Sequence, residues 1–158
     1  MRPEEIQPDT KLCTILGYNA QTGYMRKYFN KILKHNHINA TAIALNIKEE
    51  HLDFTLSSVG ESKVDRMMLE AEFQHKALAY CDLLDDCAQA LQRVEFIEIK
   101  EGKVKGYCLE DEAKALFDTE KYLDDQILFV AKMMLLAHRW YGAKIEMNDI
   151  PLLIGENR

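Results

Sequence analysis

A histidine and a lysine stand side by side where a predicted strand passes into a predicted helix. Residues 67–73, MMLEAEF, have the composition of a buried strand, and residues 77–91 carry apolar side chains at spacings of three and four. Open α/β sheets bind their ligands at strand-to-helix junctions of this kind. Lys76 is therefore a candidate catalytic or ligand-binding group, with His75 beside it, although a lysine is more often a solvated surface residue.

Metal and thiol chemistry have little support in the sequence. His35 and His37 stand close together at the end of a predicted helix, but no third ligand accompanies them, so we expect no metal site. The cysteines show no CxxC spacing, which argues against zinc, and we expect free thiols in a reducing cytoplasm. The four cysteines are Cys13, Cys81, Cys87 and Cys108.

The glycines do not form a nucleotide-binding pattern. The first predicted strand, KLCTILG at 11–17, is followed by YNAQTG, which contains neither GxGxxG nor the Walker lysine. A dinucleotide domain needs such glycines so that the pyrophosphate can approach the backbone at a helix start. We therefore expect no bound cofactor.

Charge and hydropathy exclude two classes of partner. The formal charge is −6 and no block of lysine and arginine occurs, which argues against general nucleic-acid binding. The most apolar run, 127–137, is interrupted by Lys132 and is too short to cross a bilayer. The first residues, MRPEEIQPDTKL, lack the apolar core of a signal peptide, so we expect a cytoplasmic protein that binds no membrane.

Strand and helix patterns alternate along the 158 residues and predict an α/β fold in one domain, 1–158. We expect a mixed, mostly parallel sheet with helices on both faces and one β-hairpin, closed by a long C-terminal helix. That helix should pack its apolar series, which is Leu123, Ile127, Val130, Met134 and Ala137, onto the sheet. Strands are predicted at 11–17, 39–47 and 67–73, a hairpin at 94–110 around Glu101–Gly102, helices at about 22–35, 48–56, 77–91, 111–118 and 121–141, and a loop and tail at 145–154.

Four motifs, in order, resemble the substrate-binding domain of the shikimate dehydrogenase family. After its first strand that family has GxPxxHSxSPxxHN, where this chain has GYNAQTGYMRKYFN at 17–30. A later strand ends in NVTxPHK, against EAEFQHK at 70–76, and the hairpin ends in GxNTDxxG, against GYCLEDEA at 106–113. The last helix of the family closes on a turn like WTG, against WYG at 140–142.

The resemblance also implies that a domain is missing. In the family a nicotinamide-binding Rossmann domain lies between the hairpin and the last helix, whereas only about ten residues, 111–120, fill that interval here. A hydride is not transferred without a bound carrier. Dehydrogenase activity by this chain alone is therefore not expected.

The site residues that the resemblance implies are only partly kept. The catalytic pair would be Lys76 and Glu110, with Asp111 as the alternative carboxylate, and it could relay a proton or survive only as an ion pair. Two family serines that bind the substrate carboxylate fall at Gly23 and Met25. The expected ligand-binding residues are Tyr18, Gly23, Arg26, Asn30, His75, Tyr107 and Lys132.

Further differences from the family motifs leave several functions open for this chain. The family's asparagine and threonine fall at Glu70 and Glu72, and its last-helix glutamine falls at Lys132. The first hypothesis is a stand-alone, non-redox binding or regulatory protein for a small carboxylated cyclic ligand. The alternatives are a dehydratase or isomerase that uses Lys76 with Glu110, or one half of a split dehydrogenase. Because a missing domain would bare apolar surface, we also expect a homodimer.

Overall fold

The computed structural model describes residues 6–61, 63–117 and 124–155. It confirms the α/β class, with a mixed, mostly parallel sheet of six strands in the order β2-β1-β3-β5-β6-β4. The strands are β1 (Lys11–Gly17), β2 (Ala40–Asn46), β3 (Arg66–Leu69), β4 (Leu83–Leu84), β5 (Phe96–Lys100) and β6 (Lys103–Tyr107). The α-helices of the described residues are α1 (Tyr24–His35), α2 (Glu49–Ser57), α3 (Ala71–Gln74), α4 (Asp86–Leu91), α5 (Glu110–Lys114), α6 (Asp125–Tyr141) and α7 (Ile150–Gly155).

The chain divides into two compact units. The first unit comprises residues 1–11, 27–41 and 109–158, and the second unit comprises residues 12–26 and 42–108. The single domain expected from the sequence stays a prediction.

The strand directions make the sheet mixed. β1 and β2 run the same way, because Lys11 N–H bonds to Asn39 at one end and Ile47 N–H bonds to Gly17 at the other. β1 is also parallel to β3, and β4 is parallel to β6, whereas β5 is antiparallel to both β3 and β6. The predicted hairpin is confirmed, since Glu101 and Gly102 both have positive φ and join β5 to β6 in a tight turn.

Both faces of the central strands are buried. Consecutive side chains of a strand point to opposite faces, and Met67, Met68 and Leu69 are each no more than 2% exposed. On one face, in the second unit, the sheet residues pack with side chains from three short helices. This cluster includes Leu16, Met67, Leu69 and Ile97 from the sheet, with Leu52 and Leu56 of α2, Phe73 of α3 and Ala88 of α4.

The predicted strand 67–73 is correct only in its first half. β3 ends at Leu69, and the carbonyl of Glu70 accepts the N–H of Phe73, which starts the four-residue helix α3. Leu69 and Phe73 are both fully buried, and their spacing of four residues suits a helical turn as well as a strand end. The junction therefore comes earlier in the chain than the composition indicated.

The predicted helix 77–91 is wrong. A 3₁₀ turn (Lys76–Tyr80), the short strand β4 and the helix α4 replace it. Aspartates interrupt the helical pattern by bonding to the backbone: Asp82 accepts the N–H of Val104 at 2.8 Å, and Asp85 caps α4 by accepting the N–H of Ala88 at 2.8 Å.

The cysteine prediction is wrong for two of the four residues. Cys87 of α4 and Cys108 after β6 form a disulfide, with their Cα atoms 5.7 Å apart, while Cys13 and Cys81 are in no disulfide. Because the two bonded residues are 21 positions apart, only the fold brings them together.

The last helix is confirmed over the part of the chain that the structure describes. Asp124 caps α6, and Gly142 ends it in the left-handed region with φ of 77°. Val130, Met134 and Ala137 of the predicted apolar series are buried, Ile127 is half-buried, and Leu123 lies outside the described residues. The tail predicted as irregular contains the helix α7, whose Ile150 and Leu153 are buried. The helix α5 is shorter than predicted, and position 118 lies outside the described residues.

None of the helices in the described ranges is both long enough and apolar enough to cross a membrane.

Candidate functional site

The candidate site of the second unit lies where β1 and β3 end. These parallel strands pair Leu16 with Leu69, and the N–H of Glu70 donates to Leu16 at 2.9 Å. The chain leaves β1 toward β2 on one side and later returns to β3 on the other. Such a reversal of strand order opens a crevice at the carboxyl ends of the strands, where α/β proteins bind ligands.

Two glycines make room for the side chain of Glu70. A Cβ atom on Gly17 would lie 2.5 Å from Cγ of Glu70, and a Cβ atom on Gly23 would lie 2.6 Å from its Oε1. Both distances are too short for real atoms, so the absence of side chains at these positions lets Glu70 fold back over the end of β1. Oε1 is buried there and accepts no hydrogen bond.

This carboxyl group titrates near neutral pH. Burial raises the pKa of Glu70 to about 7, and the negative charge of Glu72 adds to the shift. Glu72 itself accepts the backbone N–H of Tyr18 at 3.2 Å. A carboxyl group that changes its charge around pH 7 can either donate or accept a hydrogen bond there.

Lys76 is held by neighbouring side chains of the same unit. Its ammonium group forms an ion pair with Glu49, at the start of α2. The hydroxyl of Tyr18 donates to the other oxygen of that carboxylate at 3.2 Å. The Tyr18 ring packs edge-on against Phe73, with ring centroids 5.0 Å apart. Lys76 thus belongs to a surface network around Glu49.

The other predicted ligand residues of the second unit contact the protein itself. Arg26 donates to the carbonyl of Gln21 at 2.9 Å, and Nδ1 of His75 lies 3.0 Å from the carbonyl of Gln92. Tyr107 is buried and packs its ring against Phe96. These contacts hold backbone segments and the core of the second unit in place.

The remaining predicted site residues belong to the first unit. Glu110 begins α5 and pairs with Lys132 of α6, Nζ to Oε2 at 2.5 Å, and with Lys114, Nζ to Oε1 at 3.4 Å. Asn30 accepts a hydrogen bond from the hydroxyl of Thr41 at 3.3 Å, and Asp111 is exposed. Lys132 is buried, as its place in an apolar run allows when an acidic partner is available.

Sequence reasoning missed part of this arrangement. Glu49 was not singled out, although its position at the start of a predicted acidic helix after β2 could have indicated it. Glu70 and Glu72 were noted only as departures from a motif. Lys76 and Glu110 lie in different units, and each forms an ion pair within its own unit. The proton-transfer pair stays a prediction.

No candidate metal centre is found in the described ranges, where no three of the His, Cys, Asp and Glu side chains could hold an ion together. His35 pairs instead with Asp149, with Nε2 and Oδ2 3.1 Å apart.

Comparison with known proteins supports the resemblance. No family model matches the chain. A shikimate dehydrogenase (NADP(+)) from Methanococcus maripaludis is 24% identical over 102 residues, which are 65% of this chain and 37% of that protein. The crystal structure of shikimate dehydrogenase from Aquifex aeolicus has a TM-score of 0.61 and 20% identity, covering 70% of this chain and 42% of the other. Ligand-free 5-ketofructose reductase of Gluconobacter sp. strain CHM43 has a TM-score of 0.61 and 13% identity, covering 82% and 51%.

The chain spans about two fifths of the shikimate dehydrogenases that it matches. The similarity to that family drawn from the motifs is thus confirmed in sequence and in fold, at the size of one domain.

Proposed function

We propose that this chain is a stand-alone substrate-binding domain of the shikimate dehydrogenase type, which binds a small hydroxylated cyclic molecule without redox chemistry. The observation that carries this proposal is the short connection between α5, which ends at Lys114, and α6, which begins at Asp125. In the resembled family that connection contains the nicotinamide-binding domain. About ten residues cannot form a domain of their own.

The environment of Gly17 and Gly23 also supports the absence of redox chemistry. Glycines near a strand end can admit a pyrophosphate, but here both positions are taken up by the side chain of Glu70. A carboxyl group at that point would repel phosphate oxygens. The loop after β1 is therefore unsuited to a dinucleotide.

The ion pairs favour binding over catalysis. Lys76 is paired with Glu49, and Glu110 is paired with Lys132 and Lys114. A dehydratase or isomerase using Lys76 with Glu110 would have to break both sets of contacts before a proton could pass between them. The hypothesis of a dehydratase or isomerase thus has less support. It predicts turnover of a cyclic hydroxy acid without nicotinamide, lost in Lys76→Ala.

Binding is tested by calorimetric titration with shikimate, quinate, dehydroshikimate and the methyl ester of shikimate. We expect saturable binding of at least one compound, weakened about tenfold in Gly23→Ala, since the new Cβ would displace Glu70. Gly155→Ala is the matched control, because nothing lies within 4 Å of a Cβ atom at that position. Flat titrations with all four compounds would refute the proposed function.

Cofactor binding is tested separately by thermal unfolding with millimolar NADP. We expect no change in Tm, because a ligand raises Tm only by binding the folded state. A saturable rise of several degrees would contradict the proposal, because the chain itself would then have a nicotinamide-binding site.

We also propose that the chain forms a homodimer through exposed apolar side chains. Phe54 of α2 is 78% exposed and Leu83 of β4 is 59% exposed, and exposed apolar surface favours association. Light scattering at micromolar concentration should give twice the monomer mass, and a monomeric mass would contradict the proposal.

A further inference from the structure

We infer that the site at the ends of β1 and β3 selects an uncharged hydroxylated ligand over its carboxylated counterpart, and that Glu70 makes this selection. The inference rests on the function proposed above and narrows its ligand class. It departs from the carboxylated ligand that the family resemblance implies.

The donors at this end of the strands are already engaged by carboxylates and carbonyls of the protein. Lys76 pairs with Glu49, the N–H of Tyr18 donates to Glu72, and the guanidinium of Arg26 donates to the carbonyl of Gln21. A ligand carboxylate that approached Lys76 or the N–H of Tyr18 would lie beside the protein carboxylate that already accepts from that donor. Repulsion between the two carboxylates would disfavour that position.

Glu70, in contrast, lacks a hydrogen-bond donor. Its Oε1 is buried against Gly23 and accepts no hydrogen bond, although a buried acceptor normally has a donor. The residue as a whole is only half-buried, so a rotation of the side chain away from Gly23 would bring the carboxyl group to solvent. A ligand hydroxyl can supply the missing donor, whereas a ligand carboxylate has none to give.

Charge strengthens the discrimination. Glu70 and Glu72 would both repel an anion placed at the end of β1, and the two positions shown in close contact with the Glu70 side chain, Gly17 and Gly23, carry no charge. Of the two cations named at this end of the strands, Lys76 is balanced by Glu49, and Arg26 donates to the carbonyl of Gln21. Since Glu70 ionises as the pH rises through about 7, the repulsion should be stronger at pH 8 than at pH 6.

The test compares shikimate with its methyl ester, two ligands that share one ring and differ in charge. Calorimetry on the full chain at pH 8 should show the ester binding about tenfold more tightly than the acid. The preference should fall to about threefold or less in Glu70→Gln, which removes the charge and adds a donor. Glu112→Gln, on an exposed position of the first unit, should keep the preference of the unmodified chain.

Each outcome bears on a separate claim. Equal or tighter binding of the acid would overturn the selection by Glu70 but leave the proposed binding function standing. Binding of neither compound at either pH would overturn the selection by Glu70, and flat titrations with quinate and dehydroshikimate as well would also overturn the proposed function. Should Glu70→Gln fail to fold, the unmodified chain still decides, because the preference for the ester must shrink between pH 8 and pH 6. A preference that does not change with pH would show that Glu70 is not its origin.

Discussion

Two carboxylates, one in each unit, show how the same residue type is used in opposite ways. Glu110 of the first unit is held between Lys132 and Lys114. Glu70 of the second unit has a negative neighbour in Glu72 and a buried oxygen that accepts no hydrogen bond. Nearby cations balance the charge of Glu110, whereas the charge of Glu70 is not balanced in this way.

This difference indicates which of the two carboxylates has a structural role and which could bind a ligand. A buried ion pair satisfies both partners, and it leaves neither of them available for a ligand. A carboxyl group without a donor destabilises the folded state until something donates to it, which is the property expected of a binding residue. For this reason Glu70, rather than the motif residues Lys76 and Glu110, is the candidate binding residue.

The largest effect should come from breaking the balanced pair. Lys132→Ala removes the buried ammonium group from Glu110, whose side chain is 16% exposed, and keeps the more exposed Lys114. We expect a loss of about 3 kcal/mol in the free energy of unfolding, because removal of one partner of a buried ion pair leaves the other charge less well compensated. Urea denaturation measures it, with Lys114→Ala, 55% exposed, as a control that should cost about 0.5 kcal/mol or less. Equal losses for the two lysines would contradict the difference in burial.

Removing the unbalanced charge should have a smaller effect of opposite sign. The folded-state pKa of Glu70 is raised to about 7, so the folded protein binds this proton more tightly than the unfolded chain. Stability is therefore lost as the pH rises from 4.5 to about 7, and the cost is complete above that window. After allowance for solvent screening of a half-buried group, Glu70→Gln should gain about 1 kcal/mol at pH 8.

The same variant should gain little at pH 4, where the carboxyl group of Glu70 is protonated in both states. Urea denaturation at the two pH values gives the comparison. A gain that is independent of pH would mean that the raised pKa is not its cause.

The smallest effect should come from the exposed ion pair of the second unit. The side chains of Lys76 and Glu49 are 41% and 58% exposed, so solvent and salt screen their attraction. Lys76→Ala should change the free energy of unfolding by about 0.5 kcal/mol or less. A loss as large as that of Lys132→Ala would mean that Lys76 is structurally as important as the buried lysine.

Much of the fold could be predicted from local patterns. The strand β1, the hairpin around Glu101–Gly102 and the end of α6 at Gly142 follow from apolar runs, turn residues and a glycine cap. The region from 70 to 91 could not be predicted in the same way. There, aspartate side chains bond to backbone groups that are distant in sequence, as Asp82 does with Val104, and these bonds override the helical spacing.

The candidate site could likewise be predicted only in part from the sequence. The amino-acid sequence establishes which chemical groups are present, including the lysine after the β3 junction, the two glutamates before it and the glycines at 17 and 23. The folded structure is needed to show which of these groups meet: Glu49 with Lys76, Lys132 with Glu110, Cys87 with Cys108, and Glu70 with two glycines from the end of β1. These contacts depend on strand order and on close packing between segments far apart in the chain, which no local spacing of residues records.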